Sequence, residues 1–132
     1  MTIRLLIVDD HDFIRASLRA LFLATEVEVV AEAEGGRGAL KQLAEQNPDV
    51  ALVDLSMPDG DGLEFLERAR LAAPQLRVLM YSAKARPLDI HRCRALGANG
   101  YLIKGVDGRQ VVDAVRAVGS GQSLWDQPRG AS

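Results

Sequence analysis

The chain has 132 residues, 48% of them apolar and 26% charged, and carries a formal net charge of −2. That length supports one domain with its own core, and the composition is that of an ordinary globular protein. The slightly acidic balance without a basic stripe argues against direct nucleic-acid binding, and neither a bilayer-spanning apolar stretch nor a signal-peptide pattern is present. A single cysteine, Cys93, excludes an intrachain disulfide and makes a reducing, cytoplasmic setting the simplest reading.

Strand-like apolar runs alternate with helical patterns from end to end. The first strand is expected at about 3–8, where Leu5-Leu6-Ile7-Val8 runs into Asp9-Asp10. A helix at about 12–24 and a second strand at about 27–33 follow. Gly35-Gly36-Arg37-Gly38 lacks the spacing of the phosphate-binding loops and reads as a turn before a helix at about 37–46. The third strand, at about 49–54, carries Val50-Ala51-Leu52-Val53 and ends in Asp54. The segment from Asp54 to Gly62 then turns sharply on Pro58, Gly60 and Gly62, ahead of a helix at about 62–72. A fourth strand at about 77–82 runs through Val78-Leu79-Met80-Tyr81 to Ser82. The helix at about 87–96 is short and polar, with Ile90, Cys93 and Leu96 on its apolar side. A fifth strand at about 99–104 runs through Tyr101-Leu102-Ile103 to Lys104. The last helix, at about 107–119, places Val111, Val112, Val115 and Val118 on one face, with Asp107 as N-cap and Gly119 as the C′ glycine. Residues 121–132 are rich in Gly, Ser, Pro and Gln and read as a linker or tail.

Five such units predict an α/β domain: a parallel sheet covered by helices on both faces, joined by right-handed crossovers. Ligands in such sheets bind beyond the carboxyl ends of the strands. Asp9, Asp10, Asp54, Ser82 and Lys104 all fall at those ends. Three carboxylates together are costly without a cation, and an all-oxygen set of this size suits Mg²⁺. A carboxylate beside a metal and an ammonium can act as a nucleophile toward phosphorus. Ser82 and Lys104 mean little singly; their shared position makes the set specific.

At this point the residues match a known family. Ile7-Val8-Asp9-Asp10-His11, Val53-Asp54-Leu55-Ser56-Met57-Pro58, Tyr81-Ser82-Ala83 and Gly97-Ala98-Asn99-Gly100-Tyr101-Leu102-Ile103-Lys104 resemble the receiver domains of two-component response regulators, over residues 1–120. The Asp-Asp-His start and the Gly-Tyr-Leu-Ile-Lys ending look most like receivers that carry a LuxR-type helix-turn-helix output domain. The resemblance implies a flavodoxin-like, CheY-like sheet of order 2-1-3-4-5 with five helices. It implies that Asp54 takes a phosphoryl group from a sensor histidine kinase, and that Asp10, Asp54 and the Ser56 carbonyl ligate Mg²⁺, with Asp9 acting through water. Lys104, Ser82 and the Ala83 N–H would hold the phosphoryl group, and Tyr101 would follow Ser82 in a switch of the fourth helix, fifth strand and fifth helix. Ser56 and Lys84 match positions that tune phosphoryl lifetime. The role implied is a phosphoacceptor, not an enzyme beyond slow self-dephosphorylation, and no membrane is involved. Such domains often pair, so a homodimer through the first and fifth or the fourth and fifth helices is a candidate.

The chain departs from the family at Gly105, where many members place proline, and in having no output domain. It is either a stand-alone receiver or a receiver cut from a longer regulator, and the composition of the tail favours the second. Three rivals compete. Asp10-His11-Asp12 would suit a haloacid-dehalogenase-like phosphatase with Asp10 as nucleophile, but the late acidic pair of that class is missing. A receiver-shaped module that no longer takes phosphate conflicts with the intact rim. A flavin-binding module conflicts with the acidic first turn. His11 and His91 could be metal ligands or phosphorelay histidines, but their isolation in sequence favours surface or loop roles; Cys93 reads as a packed thiol, and Trp125 as an aromatic packed back on the last helix or joined to a partner.

Overall fold

The computed structural model describes residues 2–58 and 61–125. Five strands, β1 (Ile3–Val8), β2 (Val27–Ala33), β3 (Val50–Asp54), β4 (Arg77–Ser82) and β5 (Gly100–Ile103), alternate with five helices. The helices are α1 (Asp12–Phe22), α2 (Gly36–Gln46), α3 (Asp61–Ala72), α4 (Pro87–Ala95) and α5 (Gly108–Gly119). The strands form one parallel sheet of order β2-β1-β3-β4-β5, as the resemblance implies. Part of the segment expected to turn after Asp54, Asp59-Gly60, and the tail residues Asp126–Ser132 lie outside the described residues.

Alternation along the strands divides the core in two. Leu6, Val8, Ala51, Val53, Val78, Met80 and Tyr101 meet α2, α3 and α4 through Leu43, Phe65, Leu66 and Cys93. Leu5, Ile7, Val50, Leu52, Leu79, Tyr81 and Leu102 meet α1 and α5 through Leu18, Phe22, Val111, Val115 and Val118. β3 is buried at every position, which is why its sequence is a continuous apolar run rather than an alternation. β2 lies at the sheet edge and is half-buried, so Glu28 and Glu32 are tolerated in it.

Order β2-β1-β3 means the chain moves outward from β1 in both directions. The loops after β1 and β3 therefore diverge, leaving a crevice at the switch point. β1 and β3 pair in register from Leu5 opposite Val50 to Val8 opposite Val53. That register brings the residues that follow, Asp9 and Asp54, to the same level. Gly62 permits α3 to start close to β3: a Cβ there would lie 2.6 Å from the Asp54 carbonyl oxygen. The glycines after β2 open α2 rather than bind phosphate, and the Gly36 N–H donates to Asp61 Oδ2 at 2.6 Å.

Two local expectations need correction or extension. Asp107 is the N-cap of α5, in a capping box with Gln110. Gly119 is not the C′ residue: it is the last helical residue, lying against Ile3, and the left-handed glycine is Gly121, with φ +102°. The stretch after α5 also does more than link. Leu124 forms a parallel bridge with Gly100, accepting from the Tyr101 N–H at 3.0 Å and donating to the Asn99 carbonyl at 2.8 Å. Trp125 does not pack on α5 as expected but on the α2–α3–α4 side of the core, with the Arg94 guanidinium of α4 5.5 Å from its ring centre.

Candidate functional site

The five rim residues meet at the crevice. Asp9 and Asp54 are 1% exposed and Ser82 is 4% exposed, while Asp10 faces solvent and Lys104 is half-buried. Lys104 Nζ lies 3.3 Å from Asp9 Oδ2 and 3.3 Å from Asp54 Oδ1. Asp54 Oδ1 also accepts the Ser56 N–H at 2.8 Å. Its other oxygen, Oδ2, is buried and has no hydrogen-bond partner among the described residues. Three carboxylates against one ammonium leave the rim negative. A buried carboxylate oxygen without a donor is expensive unless something positive approaches it.

Backbone bonds hold the pieces in place. The Asp9 N–H donates to the Ala33 carbonyl, the Leu55 N–H to Tyr81, and the Lys104 N–H to Ser82 at 2.7 Å. The Arg15 guanidinium, nearly buried on α1, reaches back to the Asp9 carbonyl and also pairs with Asp12 and Glu32. Lys104 Nζ sits 5.3 Å from the centre of the Tyr81 ring, whose burial raises the phenol pKa. Ser82 Oγ accepts the Lys84 N–H at 3.2 Å. Tyr101 is turned inward, 1% exposed, and its hydroxyl donates to the Lys84 carbonyl at 2.7 Å. Burial raises its pKa, with a hydrogen bond to Ser82 opposing.

His11, read from sequence as a loop residue, stands in the cluster. Its Nδ1 lies 2.9 Å from Asp9 Oδ1, 3.1 Å from Asp10 Oδ1 and 4.0 Å from Asp54 Oδ2. The hydrogen bond with Asp9, and then the charge of Asp10, raise its pKa. One ligand atom from each of Asp9, Asp10, His11 and Asp54 lies within 4.8 Å of the others. The donor set fits a hard divalent cation: carboxylate oxygens, a buried one unpartnered, and an open side toward solvent. Arg15 was also missed, although its spacing from Asp12 on one helix face was readable. His91, by contrast, lies on exposed α4 away from this cluster. Asp12, the second carboxylate of the phosphatase alternative, is 86% exposed at its side chain and tied to Arg15 rather than joined to the cluster.

A five-stranded parallel α/β fold with a carboxylate–lysine rim at its switch point defines a receiver. A sequence model of the response regulator receiver domain matches residues 5–116, and the chain belongs to that family. It is 33% identical over 127 residues to the response regulator protein VraR of Staphylococcus aureus, covering 96% of this chain and 61% of that protein. The chain thus spans about three fifths of that relative's length. A two-component response regulator of the LuxR family from Aurantimonas sp. SI85-9A1 superposes with a TM-score of 0.89 at 29% identity, covering 94% of this chain and 89% of that one. A chain of a CheX–CheY–BeF3–Mg complex from Borrelia burgdorferi superposes with a TM-score of 0.82 at 27% identity, covering 88% of each. The fold is CheY-like, and its relatives are LuxR-family response regulators of two-component systems. No helix among the described residues is long and apolar enough to cross a membrane.

Proposed function

We propose that Asp54 is the phosphoacceptor of a sensor histidine kinase, and that the rim of β1, β3, β4 and β5 turns its phosphorylation into a change of surface. The carrying observation is the Asp54 carboxylate, whose buried Oδ2 has no hydrogen-bond partner among the described residues and faces the acidic cluster, while its Oδ1 lies 3.3 Å from Lys104 Nζ. Asp10, Asp54 and the Ser56 carbonyl would hold Mg²⁺, with Asp9 acting through water. When bound, Mg²⁺ would withdraw charge from the phosphoryl oxygens and offset the carboxylates.

The transfer needs little covalent chemistry from the protein. A carboxylate oxygen of Asp54 attacks phosphorus, the P–N bond of the kinase phosphohistidine breaks, and the imidazole leaves with the electron pair and takes up a proton. Lys104, already 3.3 Å from Asp54, pairs with a phosphoryl oxygen. Ser82 Oγ and the Ala83 N–H donate to another. Ser82 Oγ, which accepts the Lys84 N–H, would turn its hydroxyl proton toward the phosphoryl group, moving the loop it is bonded to. Tyr101, bonded to the Lys84 carbonyl, follows that loop, and the α4–β5–α5 face changes with it. Ser56 and Lys84 border the path of the attacking water and set the phosphoryl lifetime. This is a stoichiometric signal, with self-dephosphorylation as its slow reversal.

Residues 1–120 would form the receiver, with Leu124 and Trp125 packed back on it, and the rest of the tail would serve as a linker. The likeness to a LuxR-family response regulator supports transcription control through a DNA-binding domain; a cytoplasmic setting and a homodimer as the responding assembly belong to the same proposal. Incubation with Mg²⁺ and acetyl phosphate, followed by mass spectrometry, is expected to place one phosphoryl group on Asp54. Labelling at Asp10 would instead support the phosphatase reading, and no labelling would support a module that takes no phosphate.

A further inference from the structure

The cation site contains a nitrogen donor that an all-oxygen magnesium site does not need. An octahedral ion with bonds of ~2.1 Å has neighbouring ligands ~3.0 Å apart and opposite ligands ~4.2 Å apart. His11 Nδ1 lies 2.9 Å from Asp9 Oδ1, 3.1 Å from Asp10 Oδ1 and 4.0 Å from Asp54 Oδ2. The distance to Asp10 matches neighbouring positions and that to Asp54 approximates an opposite pair, while the contact with Asp9 is a hydrogen bond that holds the imidazole beside them. An independent observation points to a ligand here: Asp54 Oδ2, on a side chain 0% exposed, faces this group without a hydrogen-bond partner. Lys104 does not compete for the same atoms, because it approaches Asp9 Oδ2 and Asp54 Oδ1. The backbone supports the arrangement too, since the His11 N–H donates to Asp9 Oδ1 at 2.8 Å and fixes the histidine beside the carboxylates.

We infer that His11 Nδ1 is a ligand, so that the Asp9–Asp10–Asp54 site takes first-row transition-metal ions such as Mn²⁺ and Ni²⁺ as well as Mg²⁺. The inference rests on the reading of this rim as a cation site. Mg²⁺ keeps several waters and gains little from an imidazole. Manganese and, more strongly, nickel gain from nitrogen, in the order expected for first-row ions. With those ions the imidazole takes the place of one of the waters that magnesium keeps. The site is thereby more selective for transition metals than its carboxylates alone would make it.

Pulsed EPR on the whole chain with one equivalent of Mn²⁺ tests the contact directly. Coupling to an imidazole ¹⁴N is expected in the native protein and in His91→Ala, and is expected to vanish in His11→Ala. Ni²⁺ affinity, measured by calorimetry, should fall about tenfold or more in His11→Ala, while Mg²⁺ affinity changes less than about twofold. Manganese bound without nitrogen coupling, or a coupling lost only in His91→Ala, would overturn the inference. Beryllofluoride and Mg²⁺ should form an adduct at Asp54 of the native protein whether or not manganese shows nitrogen coupling, so failure of the nitrogen ligand leaves the phosphoacceptor reading standing. If native protein binds neither Mn²⁺ nor Mg²⁺, both readings fall together.

Discussion

Asp54→Asn should stabilise the fold in the absence of metal, although it removes the reacting group. Lys104 Nζ at 3.3 Å attracts the Asp54 carboxylate by ~5 kcal/mol at an effective dielectric constant of ~20. Ligand atoms of Asp9 and Asp10 lie within 4.8 Å, so each repels it by ~3.5 kcal/mol or more on the same scale. Repulsion thus exceeds attraction by ~2 kcal/mol, before the cost of burying Oδ2 without a donor is counted. Asp10 is partly exposed, which screens its share. Asparagine keeps an oxygen for the Ser56 N–H and turns a donor, instead of a charge, toward the acidic cluster. The expected gain is about 1–2 kcal/mol, or roughly 4 °C in Tm per kcal/mol for a domain of this size. Urea unfolding with a chelator present, at a pH where His11 is neutral, measures it. Metal then provides the converse. At ten times its Kd, Mg²⁺ should stabilise the native chain by ~1.4 kcal/mol and the Asn variant much less. A metal-free Asp54→Asn variant less stable than the native chain by 1 kcal/mol or more would refute the reasoning, because Lys104 would then be the dominant neighbour.

Other substitutions probe the frame around the site. Gly62→Ala places a methyl against the Asp54 carbonyl, so stability should fall by about 1–3 kcal/mol and acetyl-phosphate labelling of Asp54 should slow. Asp107→Ala removes one side of the α5 capping box and should cost about 1 kcal/mol by urea unfolding, with the slope unchanged. Burial, and secondarily the charge of Asp89, push the Cys93 thiol up to about 11. The native protein at pH 8 should therefore resist a thiol reagent that labels the urea-unfolded chain at once. Because the unfolded thiol ionises first, this group's contribution to stability should decline as pH climbs from about 9 toward 11, visible as a falling urea midpoint. Rapid labelling of native Cys93 would contradict its packing.

Strand ends were readable because β1, β3, β4 and β5 are buried apolar runs, and each break in apolarity coincides with a chemically useful residue. Two expectations could not be resolved that way. Gly119 and Gly121 both suit a helix end, and only the left-handed backbone of Gly121 identifies it as the residue beyond the cap. The meeting of His11 with Asp9 and Asp10 depends on the turn after β1, whose geometry is set by the Arg15 contact to the Asp9 carbonyl and the Asp9 N–H to Ala33. The Arg15 bond spans only six residues, but no spacing rule in the sequence encodes the bond to Ala33. The register shift between Leu5 and Leu6 in the β1–β2 pairing is equally invisible in the residues themselves.

Leu124 has a consequence for self-association. β5 ends the sheet, and a terminal strand with bare N–H and C=O groups invites another chain to pair with it. Leu124 occupies that position, taking the Tyr101 N–H and the Asn99 carbonyl. A chain cut after Ser120 would leave both groups open beside the Tyr101 backbone. It should gather into concentration-dependent oligomers on size-exclusion chromatography, whereas a chain ending at Trp125 should not. The few residues after α5 therefore act as a guard strand, keeping one receiver's sheet from continuing into the next.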